Sequence, residues 1–530
     1  MPSGGPAPGL RWHAMRFAVF DLGSTTFQLL VTEADDDGTL TPILRDRVLL
    51  HLGVALAAAG GRIPPSAGAR AAETVRRFRD IARRVGAGRV LPVATSALRD
   101  AGNREELAEM LGQAAGEPIS FIDGREEARL VFAGVRASVA LGPGATLLLD
   151  LGGGSLEVAL AGAGGLRWGE SLPLGAGRLS AEVLRHDPPS RDERREIRRL
   201  VEEAVAPLVE RVGREATPVR CVVSGGTTGA LARILAVRRW GTPPPSLNQW
   251  SIGLDEVSEL GKELSRVDLD TRLRIEGVDE RRADLLPAGA IVVTSAVGAF
   301  GLDTMLVSEF GLREGVVLDA LGLASGPEPE PADLRRRSVD HLARVWGEDP
   351  AHVSLTHDLA VGLFNATAEL HGLGPVEREW LSHAARLHDI GVRISPDRHH
   401  KHGSYIVEHA DLKGFSPDEV AVIASLVRFQ KGRDPRPSHP PFARLPPALR
   451  GACTSLEGLL RVAHALGRGG GHDVRDLAVT VRGDEILVRI AGTSNPEAAA
   501  TEAEAAADLL GRSLGVAIRF EPALMGRATA

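Results

Sequence analysis

Two stretches of this 530-residue chain repeat one pattern, "VFDLGSTTFQLLV" and "LLDLGGGSLEVAL". Each is an apolar strand ending in Asp-Leu-Gly, a turn of small residues and a second apolar strand. Glycine costs a sheet conformational entropy and gives it nothing to pack, so its clustering marks a point where the backbone must stay bare. Asp21 and Asp150 hold equivalent positions, 129 residues apart. That interval is the size of a domain, which predicts paired domains facing each other across a cleft.

The rest of the chain fits this layout. An Arg-rich amphipathic segment at 67–86 precedes a buried strand in "RVLPVATSALRD", and "ISFIDG" reads as a strand leading into the helical pattern "REEARLVFAGVRASV". A long helix is predicted near 190–213, and "RCVVSGGTTGAL" reads as strand, glycine turn and helix. Strands alternating with helices indicate α/β layers. A Pro/Gly/Glu linker, "ASGPEPEPA", separates this half from a helical stretch at 333–466, broken by prolines at 434–447. Near the end, "LAVTVRG" and "EILVRIAG" suggest a hairpin, followed by a helix and a last strand, "VAIRF". The expected organisation is α/β domains at 15–136 and 137–323, a linker at 324–332, a helical domain at 333–470 and a small α/β domain at 471–524.

A chain of this length exceeds a single core. A net charge of −7 argues against a nucleic-acid partner. No run approaches eighteen apolar residues, so no membrane span is expected. The leader "MPSGGPAPGLRWHAM" lacks an apolar core, and Met15 is an alternative start. Cys221 and Cys453 form no CxxC pair or disulfide framework, which fits a reducing, cytoplasmic location.

A glycine turn leaves backbone N–H groups pointing into a concavity suited to phosphate, and an aspartate at the strand end offers a hard oxygen for Mg²⁺. Asp150 with Gly152, Gly153, Gly154 and Ser155 therefore reads as a phosphate and magnesium site. Glu157 adds a second carboxylate, Asp21 is the equivalent acid of the first hairpin, and Ser24, Thr25 and Thr26 supply hydroxyls. One such hairpin is equally well a tight turn with a solvated aspartate; two related hairpins favour a site.

"DGREEARL" holds two adjacent glutamates with different fates. With Asp123 as N-cap, Glu126 falls at the capping-box position. Glu127 begins the stripe Glu127, Leu130, Val131, Gly134, which faces the protein. A carboxylate there calls for a cleft at the first turn; the competing reading makes both residues acids favoured by the helix dipole.

The paired pattern resembles the actin, sugar-kinase and chaperone-ATPase superfamily. More narrowly, it resembles the exopolyphosphatase and guanosine pentaphosphate phosphohydrolase (Ppx/GppA) family. The motifs are "DLGSTTFQL", "DLGGGSLE", "TSALR", "GREEARLVFAGV", "SLPLGAGRL", "SGGTTGAL" and "LREGVVLD", and the similarity runs from residue 17 to about 520. Thr25 and Gln28 stand where that family usually has Asn and His. The resemblance implies two actin-like (ribonuclease H-like) α/β domains, an all-helical HD-like domain and a small α/β C-terminal domain. It implies Glu127 as general base, Arg99 as a partner for phosphate charge, and Gly225, Gly226 and Thr227 as further phosphate contacts. Mg²⁺ (or Mn²⁺) would be held by Asp21, Asp150 and Glu157. The implied activity is release of orthophosphate from the ends of inorganic polyphosphate; the alternative is hydrolysis of the 5′-phosphate of guanosine pentaphosphate (pppGpp). A homodimer is a further expectation of the resemblance. An ATP phosphotransferase of the superfamily lacks the paired-glutamate helix. A non-catalytic sensor would not need Asp21, Glu127, Asp150 and Glu157 together.

In the helical half, His357, the pair His388–Asp389 and His402 follow the order of the HD phosphohydrolase fold, whose imidazoles and carboxylates bind divalent metal. The later helix carries His464 where that fold has its last aspartate, so a structural relic with an incomplete metal set is expected. The basic stretches "RFQKGRDPRP" and "DRHHKHG" either line a polyanion path or are solvated loops.

Overall fold

The computed structural model describes residues 15–522, apart from 36, 163, 326–329, 348–349, 470–473, 475 and 493. These residues form two units, the first reaching 243 and resuming at 247–331, the second running from 332 onward with 244–246. The centre of the expected linker, 326–329, lies outside the described residues. So do the leader and the alternative-start question.

The first unit is mixed α/β, built on two sheets. One contains β1 (Met15–Leu22), β2 (Thr26–Ala34), β3 (Leu40–Leu49), β4 (Arg89–Ala94) and β5 (Ser120–Phe121) in the order β3-β2-β1-β4-β5. The other contains β6 (Ala145–Leu151), β7 (Leu156–Gly162), β8 (Gly165–Leu172), β9 (Pro218–Ser224), β10 (Ser251–Gly253) and β11 (Thr304–Val307) in the order β10-β11-β9-β6-β7-β8. Both place an antiparallel three-strand meander on one side of the first strand and parallel strands on the other. The internal echo in the sequence is thus one topology used twice, with β10 added at an edge.

Parallel-strand sheets need cover on both faces, and β1 is buried on both. Phe20 meets Phe78 of helix Pro65–Arg84 edge-to-face, centroids 5.8 Å apart. Truncating Phe78 to Ala costs about 3–5 kcal/mol by cavity creation. From the opposite face Phe17 and Val19 join a cluster with Leu130, Val131 and Val135 of helix Gly124–Arg136, Val316 and Val317 of helix Leu312–Ala320, and Leu148, Ala159 and Val222 of the second sheet. These two helices therefore lie between the sheets. They approach closely enough that a Cβ on Gly134 would overlap the Gly311 carbonyl and one on Gly315 the Leu130 carbonyl. The outer face of the second sheet packs on helices Arg191–Glu215, Gly226–Trp240, Leu254–Leu264 and Leu286–Ala299.

The second unit carries helices Pro331–Trp346, Pro350–Ala366, Pro375–Leu387, His399–His409, Pro417–Phe429 and Pro447–Gly469. A small sheet follows, β12 (Asp476–Arg482), β13 (Glu485–Ala491) and β14 (Ala517–Pro522), in that order. Helices Pro496–Ala506 and Asp508–Leu514 lie between its last two strands in sequence. One apolar cluster joins Leu456, Leu459 and Leu460 of the long helix to Ile486, Val488 and Phe520 of the sheet. Gly458 permits this, since a Cβ there would come 2.8 Å from Leu510 Cα. No helix among the described residues is long and apolar enough to cross a membrane.

Candidate active site

The site begins where the central strands of the two sheets stop. Asp21 pairs across β1–β2 with Gln28, and Asp150 across β6–β7 with Glu157. The turns that follow are pressed together. A Cβ on Gly153 would overlap Thr25 Oγ1, and one on Gly154 would overlap Ser24 Oγ and Ser96 Oγ. Ser24 Oγ lies 2.5 Å from Ser96 Oγ and accepts the Ala97 N–H at 3.1 Å, which ties the first turn to the short helix Ser96–Arg99. "TSALR" thus contains a single helical turn directly after β4. Gly175 reaches the backbone of Gly154 and Ser155, and the Gly152 and Gly153 carbonyls accept from Ala176 N and Arg178 N at 3.1 and 2.9 Å. The side-chain space at these glycines is taken by the facing turn and by 174–178. Close approach of two turns is therefore reason enough for the bare backbone.

The third turn follows β9. Ser224 Oγ donates to Asp150 Oδ1 at 2.7 Å. Gly225 has φ +97°, where a side chain is strained, and a Cβ there would also lie 3.0 Å from Asp150 Oδ1. Gly226 abuts the Arg282 guanidinium. Thr227 is buried, its methyl filling the space above Gly289.

Glu127 reaches the same place from between the sheets. Asp123 caps its helix, accepting the Glu126 N–H at 2.9 Å. The Glu126 carboxylate does not complete a capping box but pairs with Arg129 at 2.7 and 2.8 Å. Gly124 is flush against Ser171, whose hydroxyl donates to Glu157 Oε1 at 2.7 Å, so the first turn of the helix is held beside β7–β8. Glu127 is 6% exposed and Glu157 2%. Arg99 Nη1 donates to the Ile122 carbonyl at 2.9 Å and to Glu127 Oε2 at 3.4 Å.

The four carboxylates lie close enough to act on one another electrostatically. Burial is the main reason the Glu127 carboxyl stands well above the usual range; Glu157 adds to the rise, Arg99 opposes it, and Asp21 and Asp150 raise it further. Burial likewise pushes Glu157 up to about 7, reinforced by Asp150 and resisted by hydrogen bonds from Ser155 and Ser171. Asp21 rises to about 6 by burial, with Arg313 pulling down and Asp150 pushing up. Asp150 is raised by burial against the Ser224 hydroxyl and Arg313. Three buried acids and the part-buried Asp150, all of one sign of charge, fit a divalent cation with hard oxygen ligands. Beside Thr25 a cavity of about 320 Å³ opens, lined also by Gly177, Leu184, Leu285 and Pro287.

Sequence reasoning assigned no role to Arg313, Arg178 or Ser171. All three lie within motifs it quoted, "LREGVVLD" and "SLPLGAGRL". An Arg-Glu pair in the first turn of a helix was the available signal for Arg313. Thr26 opens β2, and Ser155 is buried at the end of the second turn.

In the second unit the structure corrects the histidine set. His352, His388, Asp389 and His464 converge, their donor atoms all within 4.8 Å of one another. His357 and His402 are not in this group. Five residues turn an α-helix by about 140° from a full-turn register, so His352 and His357 face different sides. His357 instead bonds Asp358 and Ser382, each at 2.9 Å.

Comparison with known proteins gives a consistent picture. Residues 30–324 match the model of the Ppx/GppA phosphatase family, and 334–490 that of Ppx/GppA phosphatase, domain III. The chain is similar to Exopolyphosphatase 1 of Mycobacterium tuberculosis H37Rv, 32% identical over 338 residues, which cover 64% of this chain and 96% of the relative. For Exopolyphosphatase 1 of Mycobacterium leprae the identity is 30% over 333 residues, covering 62% and 97%. Among solved structures, an exopolyphosphatase from Cytophaga hutchinsonii is 26% identical with a TM-score of 0.53, covering 58% of this chain and 98% of its own. An Aquifex aeolicus Ppx/GppA member is 25% identical with a TM-score of 0.50, covering 58% and 97%.

Proposed function

The chain belongs to the Ppx/GppA phosphatase family and is a phosphoanhydride hydrolase, and from that premise we propose that it is a Mg²⁺-dependent exopolyphosphatase releasing orthophosphate from the ends of inorganic polyphosphate. The observation that supports this most is the meeting of Asp21, Glu127, Asp150 and Glu157 beside two interlocked turns. The relatives named as exopolyphosphatases supply the substrate class.

Phosphoryl transfer asks little covalent chemistry of a protein; positioning and charge neutralisation dominate. Water attacks the terminal phosphorus, the anhydride P–O bond breaks, and the shortened chain leaves with the electron pair. Glu127 accepts the proton from that water. Its raised basicity suits it to the task near neutral pH, and Arg99 holds its carboxylate in place. Mg²⁺, or Mn²⁺ in its stead, would be held by Asp21, Asp150 and Glu157 and would offset the negative charge of the phosphates. Arg313 lies close enough to influence both Asp21 and Asp150, and so adds positive charge where phosphate oxygens gather.

The test is phosphate release from long-chain polyphosphate and, separately, from guanosine pentaphosphate, for wild type and Glu127→Gln. Removing a general base lowers the rate about a hundred- to ten-thousand-fold. The expected result is a loss of that size on polyphosphate with binding retained. A mutant that turns over as the wild type does removes Glu127 as base, and turnover of guanosine pentaphosphate alone replaces the substrate.

A further inference from the structure

The second unit contains a cluster that the proposed hydrolysis does not use. His352 lies on helix Pro350–Ala366, His388 and Asp389 follow helix Pro375–Leu387, and His464 lies on helix Pro447–Gly469. His388 Nδ1 donates to the Ala385 carbonyl at 2.8 Å, which leaves the Nε2 lone pair pointing inward. That nitrogen lies 3.2 Å from His352 Nε2 and 3.6 Å from Asp389 Oδ2. His352 Nε2 is 3.3 Å from the same Asp389 oxygen. The rings of His352, His388 and His464 have centroids 5.1 to 6.0 Å apart.

His464 supplies an independent observation. It is 5% exposed, and neither ring nitrogen has a hydrogen-bond partner. A buried imidazole with both nitrogens unmatched is costly, and a helix side chain has rotamers that would avoid it. Here it is turned instead into a ring of other donors. A proton can bridge one pair of donors; four converging on a point call for a central charge.

We propose that His352, His388, Asp389 and His464 bind a divalent ion of the zinc class as a structural metal site. Three imidazoles and one carboxylate select a borderline ion such as Zn²⁺ over Mg²⁺, which prefers oxygen. A tetrahedral centre with bonds of about 2.0–2.1 Å has ligand edges of about 3.3 Å, close to the 3.2 to 3.6 Å separations among His352, His388 and Asp389. Protein fills all four positions and His388 is fully buried, so the site is closed. The His388 bond to Ala385 provides the kind of outer contact that orients such ligands. The ion would pin three helices that pack on one another through an apolar core.

The experiment uses the full chain, purified without chelator, with metal measured by elemental analysis. About one equivalent of Zn²⁺ per chain is expected in wild type, in Glu157→Gln and in His357→Ala, which removes a histidine outside the cluster. Less than a tenth of an equivalent is expected in Asp389→Asn and His464→Gln. Should those variants fail to fold, Co²⁺ added to metal-stripped wild type decides the matter. A cluster of nitrogen donors gives visible absorption bands with one-to-one saturation, and Zn²⁺ abolishes them. Wild type that carries no stoichiometric metal and shows no such bands overturns the proposal, as does metal lost in Glu157→Gln but kept in Asp389→Asn. Neither result touches the exopolyphosphatase reading, which depends on the first unit.

Discussion

The hairpins β1–β2 and β6–β7 share register, topology and an aspartate at the same place, yet they contribute opposite things. Opposite Asp21 stands Gln28, whose amide donates to Asp21 Oδ2 at 3.1 Å. Opposite Asp150 stands Glu157, a second acid. The first turn, Gly-Ser-Thr, projects hydroxyls; the second, Gly-Gly-Gly-Ser, has room to receive them. One hairpin is the knob and the other the socket. Duplicated scaffolds of this kind need not duplicate chemistry. The second copy carries the added negative charge, and the first replaces it with a neutral amide that also fixes its aspartate.

The sharpest way to break this contrast is to exchange the two partners. Glu157→Gln gives the second hairpin the polarity of the first, and phosphate release should fall about a hundredfold or more, with a higher Mg²⁺ requirement. Gln28→Leu removes only the hydrogen bond to Asp21 and should cost about tenfold or less. Steady-state rates across a Mg²⁺ titration compare them, and equal losses would erase the distinction.

A smaller effect tests knob and socket. Gly154→Ala forces a methyl onto Ser24 and Ser96, and overpacking of this kind costs about 1–3 kcal/mol. Gly23→Ala, on the knob side, meets the Thr26 carbonyl at 3.0 Å and Asp21 Oδ1 at 3.8 Å, and should be milder. Urea denaturation of both variants ranks them; a Gly23 variant as unstable as the Gly154 variant would contradict the asymmetry.

The finest test is pH. In chelator, Glu157 titrates near 7 and Asp21 near 6, both above their ordinary values. The folded chain then binds more protons than the unfolded one, so stability is fully present below about pH 4 and is lost as pH rises through 6 and 7. Each group adds a slope of at most ~1.4 kcal/mol per pH unit. Thermal melts from pH 4 to 8 should show a shallower decline for Glu157→Gln, and Mg²⁺ should flatten the wild-type decline. Parallel wild-type and mutant curves would place Glu157 in a more ordinary environment.

Much of the first unit was legible before any coordinates. The alternation of apolar strand, turn and strand is a local property, and so is the Asp123 cap that separates Glu126 from Glu127. The acids followed, because an aspartate at a strand end and a glutamate on an apolar stripe have few structural uses. The histidines were not legible in the same way. His352 and His357 lie on one helix, and only the packing of helices Pro375–Leu387 and Pro447–Gly469 decides which of them faces His388.

By itself, the sequence determined the repeated hairpins, their paired aspartates and the helix that carries Glu127, because short-range periodicity and capping encode those directly. Tertiary structure alone decided that the glycines give way to a facing turn, that Arg313 lies beside both aspartates, and that His464 joins His352. Those outcomes depend on which faces of distant elements meet, and long-range packing, which no local pattern records, sets that choice.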